Sequence, residues 1–416
     1  MGMMNDLLAG PDMYTLRTMA MLQRTMMGPM YGFQKTSPFM YAMTELSKPF
    51  FVDLPKPVFG IESILTADEA LINIREKVVL RKAFVDLLHF SQERKREGLP
   101  RVLIIAPMSG HYATLLRDTV RTFLADHEVF VTDWSNARDV PSSAGVFSTD
   151  TYVTYVREIF HFLARDGDFH VVAVCQPAVP ALIATALEAQ TGGIIPVTLT
   201  LMGGPIDPRV SMTEVGKYAQ KHPLETLKQR SISRVPLLYP GHGREVYPGF
   251  LQFLSFVAMN YGTHFGAQCD EHMRFFIADI EKSKKHGAFY AEYGSVMDLP
   301  AEYYLSTIRD VFQEFKVPNG NWIMEDGTLV DLSAITKTAV LTIEGIYDDI
   351  TGLGQTRAAL DLLVGIPASK KYAHEAPTGH YGLFSGEKAR AIYETVTKRF
   401  IAKYPQNRRK RHTGVR

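Results

Sequence analysis

Between residues 101 and 203, short unbroken apolar runs alternate with amphipathic stretches. The runs VLIIAP (102–107), VFVTDW (129–134), FHVVAV (169–174) and VTLTLMG (197–203) are short and uniformly apolar. They predict strands buried on both faces. Between them the pattern predicts a helical segment from Ala113 and a helix over 152–164, with Val153, Val156, Ile159, Phe160 and Leu163 on one face. A further helix opens with PAVPALIATALEA after residue 176. Strands and helices in alternation imply a mostly parallel sheet flanked by helices, an α/β fold.

The rhythm breaks after Gly204 and returns with TAVLTIEG (338–345) and a last short strand near 371–373. The interval is helical in pattern and dense in aromatics such as Phe253, Phe256, Phe275, Tyr303 and Tyr304. A helical insertion of this kind, at 206–336, is what a cap over the sheet would look like, its aromatics forming its own core and lining a cleft for an apolar substrate. The core is then 96–205 with 337–405. Residues 1–95, rich in Met, Tyr, Phe and Pro with broken periodicity, predict an arm packing on that core. Exchange of the arm between subunits would make a homo-oligomer. The tail 406–416, with RRKRH at 408–412, reads as a solvated basic end.

Composition narrows the partners. Lys plus Arg number 45 against 44 Asp plus Glu, so no basic excess points to nucleic acid. Two cysteines, Cys175 and Cys269, among 416 residues make no disulfide framework and suit a reducing compartment. The start has no basic region ahead of an apolar core, so a secretory signal is not expected, and Asp6 stands where a myristoylation site wants Ser or Thr. No run approaches the roughly 18 apolar residues that cross a bilayer. These features together predict a cytoplasmic protein without a membrane span.

The chemistry centres on Cys175, which falls between strand and helix in Ala173-Val174-Cys175-Gln176-Pro177. α/β-Hydrolases present their nucleophile on such a turn, usually as G-x-S-x-G. Read by itself, Cys175 could equally be a small buried apolar residue. The order nucleophile, acid, histidine is completed downstream. Asp348, three residues past Gly345 at the end of a strand, is the acid, preferred to Asp349 on that spacing. His380, in the loop Ala376-Pro377-Thr378-Gly379-His380-Tyr381-Gly382, is the base. An oxyanion hole would use the N–H of Gln176 and that of Met108, with Ser109 as second choice. Ser109, His111 and Trp134, at strand ends, would shape the substrate pocket, though His111 reads more readily as a loop or cap contact than as a catalytic group. Cys269 and His272 lack the second pair a metal site needs, so neither metal nor organic cofactor is expected.

The strings VCQPAVPAL, LPAEYYLSTIRDVFQEF, EGIYDDITGLGQT and APTGHYGLFSG resemble the intracellular poly(3-hydroxybutyrate) depolymerases, and the resemblance covers most of the chain. It implies an α/β-hydrolase fold with a cap, ester hydrolysis of stored polyester through Cys175, Asp348 and His380, and attachment to cytoplasmic polymer granules. Polyhydroxyalkanoate synthases share a cysteine nucleophile but usually keep glycines on both sides of it, where this chain has Ala173 and Pro177. A non-catalytic granule coat would need no ordered Cys-Asp-His series.

Overall fold

The computed structural model describes residues 55–65, 70–93, 98–249, 251 and 295–406. The Met-rich segment to residue 54, the aromatics between 252 and 294, Cys269 with His272, and the basic run 408–412 lie outside the described residues. The described strands are β1 (Ser63–Leu65), β2 (Leu71–Arg81), β3 (Val85–Gln92), β4 (Arg101–Ile105), β5 (Glu128–Trp134), β6 (His170–Val174), β7 (Thr198–Met202), β8 (Ser233–Arg234), β9 (Glu245–Tyr247), β10 (Leu299–Pro300), β11 (Ala339–Gly345) and β12 (Lys371–Ala376). One sheet runs in the order β1-β2-β3-β5-β4-β6-β7-β11-β12. From β5 to β12 neighbouring strands are parallel; β1, β2 and β3 join antiparallel.

Every residue of β4, β6, β7 and β11 is buried, as parallel strands under helices require. The helices around the sheet include α1 (Arg117–Phe123), α2 (Thr149–Ala164) and α3 (Ala178–Gln190). α2 starts about a turn earlier than its apolar stripe suggests, because Ser148 and Thr151 form a reciprocal capping box. α3 is apolar on all sides and buried from Ala178 to Glu188. Its far end is tied to α2 through the buried Glu188 carboxylate, 2.7 Å from Arg157 and 3.0 Å from His161.

Two boundaries differ from expectation. The sheet begins well before residue 96: β2 and β3 form a hairpin inside the segment read as an arm, and β3 pairs with β5. The charged run Arg75-Glu76-Lys77 and a bulge between Val78 and Leu80 break the alternation that would have revealed it. At the other end, Gln406 belongs to the fold rather than the tail. Its carboxamide accepts from the Arg101 N–H and donates to the Arg101 carbonyl, both at 2.8 Å.

The insertion between β7 and β11 contains α4 (Glu214–Lys221), α5 (Leu224–Ser231) and α6 (Ala301–Thr307), the last continuing into a π-turn over Ile308–Gln313. It also carries a small antiparallel sheet, β10-β9-β8, whose strands of two or three residues are too short to leave a pattern. The returning segment is stitched to the core loops. Met297 N donates to Gly110 O at 2.7 Å, and Ala137 N donates to Asp298 O at 3.0 Å. Asp298 N donates to Asn136 Oδ1 at 3.1 Å, while its own Oδ1 accepts from Gly249 N at 3.0 Å. These contacts deliver α6 beside α2, where Trp134, Tyr152 and Tyr303 stack in series, with ring centroids 4.2 and 5.5 Å apart. Among the described residues no helix is long and apolar enough to cross a membrane.

Two buried histidines make this core acid-sensitive. Burial holds His127 down at about 4 and His170 at about 3, against about 6.5 for a free imidazole. The stability this gives is complete above pH 6.5 and is lost as pH falls through those folded values, because the unfolded chain takes up the protons first. His170→Asn should therefore remove about 2 kcal/mol of the stability lost between pH 7 and pH 5. Urea unfolding at both pH values checks this, and identical pH dependence in parent and variant would refute it.

Candidate active site

β6 ends at Val174 and α3 begins at Ala178, leaving three residues to reverse the chain. Cys175 makes the turn with φ +67°, a conformation that non-glycine residues rarely adopt and that carries about 1–3 kcal/mol of strain. Backbone bonds hold it there. Cys175 N donates to Met202 O at 2.7 Å, and Ala178 N donates to Cys175 O at 3.0 Å. Pro177 sits at the helix start, where a missing N–H leaves no partner unsatisfied. The thiol-bearing residue is half-buried and free.

The turn is feasible because Gly204 puts no side chain against it. A Cβ on Gly204, just past β7, would fall 2.1 Å from Ala178 Cβ and 2.8 Å from Cys175 O. Its neighbour Gly203, at φ +60°, backs the histidine loop: a Cβ there would lie 2.9 Å from Leu383 Cδ1 and 3.3 Å from His380 Cε1.

Asp348 and His380 meet on the same side. Asp348 Oδ1 accepts the N–H groups of Ile350 at 2.9 Å and Thr351 at 2.8 Å, which fixes the carboxylate. Its Oδ2 lies 2.7 Å from His380 Nδ1. Asp349 points to solvent. With Nδ1 committed to Asp348, Nε2 is the ring nitrogen left for Cys175, whose interaction with the ring raises the ring's pKa. His380 is 5% exposed. Burial alone would lower its pKa, but the charge of Cys175 and the hydrogen bonds from Asp348 and Cys175 outweigh it and push it up to about 10. The arrangement favours a protonated imidazole beside Cys175.

The loop after β4 faces the elbow. Met108 is fully buried, and among the described residues neither its N–H nor that of Gln176 donates to another protein group. Ser109 is half-buried on the same loop. His111 pairs in a single β-bridge with Val296, so it sits at the joint between the loop and the insertion. Trp134 corrects its expected place in the pocket lining. It is 0% exposed, its indole N–H donates to Ala106 O at 2.8 Å, and it packs against Phe147 and Tyr152 as part of the core behind the loop.

Several supporting residues carry no signal in the sequence reading. Glu344 on β11 is buried and accepts from Gly354, Thr356 and Arg357 N–H groups at 3.0, 2.7 and 3.2 Å. Thr351 Oγ1 donates to Gly203 O at 2.9 Å. The doublet Gly203-Gly204 at a strand end was the available clue, since paired glycines mark close backbone approach.

Strand arrangement, elbow and acid–histidine pair are those of the α/β-hydrolase fold. Residues 203–405, just under half of the chain, match the family described as PHB de-polymerase C-terminus. The matched segment takes in Asp348 and His380 but not Cys175. Among solved structures, a carboxylesterase of the thaumarchaeon Nitrososphaera gargenis is 13% identical with a TM-score of 0.43, covering 79% of this chain and 98% of its own. The 2-hydroxy-6-oxo-6-phenylhexa-2,4-dienoate hydrolase of Rhodococcus sp. strain RHA1 is also 13% identical, with a TM-score of 0.43 and coverage of 79% and 99%. No curated protein matches the sequence significantly.

Gly204→Ala should destabilise the fold by about 1–3 kcal/mol, the range for overpacking, and disturb the thiol above it. Denaturant midpoints together with the rate of Cys175 alkylation by iodoacetamide check this. Parent-like values for both would show that the close approach is not limiting.

Proposed function

We propose that this chain hydrolyses the ester bonds of stored poly(3-hydroxybutyrate) through a covalent acyl-cysteine, working at the surface of polymer granules in the cytoplasm. The observation that carries this reading is the Cys175–His380–Asp348 series, built on the elbow of a chain whose C-terminal half matches the depolymerase family.

His380 takes the Cys175 proton, leaving thiolate beside imidazolium. The sulfur attacks an ester carbonyl, and the oxyanion that forms is held by the Gln176 and Met108 N–H groups. As the C–O bond breaks, His380 returns its proton to the departing hydroxyl end of the chain. Water then attacks the thioester carbonyl while His380 accepts one of its protons. The C–S bond breaks, the sulfur recovers a proton from the imidazolium, and a 3-hydroxybutyrate acid or short oligomer leaves. Asp348 holds the ring in the required tautomer and balances its charge throughout. Ser109 and His111 border the space in which the acyl unit would lie.

Amorphous poly(3-hydroxybutyrate) granules incubated with the parent should release soluble 3-hydroxybutyrate and oligomers, with none released by Cys175→Ala. Equal release by both would remove the cysteine from the mechanism. Coenzyme A freed from 3-hydroxybutyryl-CoA, with no granule hydrolysis, would instead indicate a synthase-like acyltransferase. Asp348→Asn should retain the fold and lower kcat on soluble oligomers by about a thousandfold or more, as loss of the tautomer-fixing carboxylate does in serine triads. A loss below about tenfold would show that Asp348 does not orient the base.

A further inference from the structure

We propose that Thr351 is a positioning residue of the triad: its buried hydroxyl, acting through Gly203, sets where His380 stands relative to Cys175. The inference rests on the ester-hydrolase reading for its kinetic consequence, and deepens it by naming what keeps base and nucleophile in register.

Gly203 and Gly204 form a spacer between the two halves of the site. A Cβ on Gly203 would fall 3.3 Å from Cε1 of His380 and 3.5 Å from Nδ1. Cε1 is the ring carbon between the two nitrogens. Gly203 therefore backs the edge that joins the Asp348 bond to the nitrogen left for Cys175. A Cβ on Gly204 would fall 2.8 Å from Cys175 O. One dipeptide touches the base with one residue and the nucleophile's backbone with the next.

The spacer is fastened by β11 and by the loop that follows it. Gly203 N donates to Ile343 O at 2.9 Å, and Thr351 Oγ1 donates to Gly203 O at 2.9 Å. Thr356 Oγ1 bonds the N–H and the carbonyl of Gly204, both at 2.9 Å. Thr351 is the member of this set that also touches the acid. Its N–H donates to Asp348 Oδ1 at 2.8 Å, and the other oxygen of that carboxylate lies 2.7 Å from His380 Nδ1. One residue thus bonds the carboxylate that orients the ring and the peptide that backs it.

The position of the hydroxyl is well defined. Thr351 is buried, and a β-branched side chain has few χ1 choices. Its loop is fixed further on by Glu344, which accepts the N–H groups of Gly354, Thr356 and Arg357. Without the hydroxyl, the buried Gly203 carbonyl loses this donor, and buried polar groups need partners. Gly203 sits at φ +60° and has no side chain to resist rotation toward another donor. The ring edge it backs then shifts, and the base leaves its register with the sulfur.

The test reads Cys175 first without a substrate. Iodoacetamide alkylation at neutral pH is followed on the peptide that carries Cys175. It should slow by about tenfold in Thr351→Val, because an unassisted thiol is mostly protonated there. The double variant Thr351→Val with His380→Ala should be no slower than His380→Ala alone, since the threonine acts through the histidine. Thr351→Ser, which keeps the hydroxyl, should recover most of the parent rate. On p-nitrophenyl butyrate, Thr351→Val should lower kcat by about tenfold to a hundredfold with KM little changed, the scale of an ångström's misplacement. Denaturant midpoints confirm folding, and Thr351→Ala stands in should Thr351→Val misfold. Parent-like alkylation in a folded variant, slowing that adds in full to that of His380→Ala, or failure of serine to rescue overturns the assignment. A parent that hydrolyses no ester overturns the ester reading, while the alkylation rates still decide the role of Thr351.

Discussion

The site depends on how closely two pieces of backbone can approach. The Cys175 carbonyl and the first residue of α3 press onto Gly204, where even a methyl group would overlap Ala178. Gly204 is in turn gripped by one hydroxyl: Thr356 Oγ1 accepts from its N–H and donates to its carbonyl, both at 2.9 Å. The N–H of Thr356 rests on Glu344, whose strand ends at Gly345, three residues before Asp348. Nucleophile and acid are thus linked by a close backbone approach and a run of hydrogen bonds along the sheet's C-terminal edge. The strain at Cys175 is held by its own N–H bonded to Met202 O and its carbonyl bonded by Ala178 N.

The pieces of the candidate site were legible because each lies where the chain changes period. Cys175 interrupts a strand and a helix, Asp348 follows a strand that ends in glycine, and His380 sits between glycines after the last strand. Those changes survive in one dimension. What surrounds them does not. Glu344 reads as one charged residue in an otherwise apolar strand, and only the fold shows three amides converging on it. Trp134, an aromatic at a strand end, looks the same in sequence whether it faces a cleft or a core. Its indole settles the matter by donating inward to Ala106.

The first strands of the sheet failed to register for another reason. β3 is well buried, but β2 mixes charged and apolar residues and carries a bulge, as suits a strand near the sheet's edge with one face partly wet. Hydrophobic patterning is strongest where burial is complete, in β4, β6, β7 and β11, and weakens outward. The small β8–β9–β10 sheet lies beyond its reach altogether. Two or three residues cannot display a period, and hydrogen bonds to distant segments decide their pairing.

The stitching around Asp298 bears on traffic through the site. Bonds with residues 110, 136, 137 and 249 fasten the strip that leads into α6, and the aromatic stack behind it is closed to water. Swinging that wall aside would break those bonds together and wet three rings, a change on the scale of local unfolding rather than of a gate. This side of the pocket is consequently a fixed template. A flexible substrate has to conform to it, and the entropy lost in doing so falls on the substrate rather than on the protein.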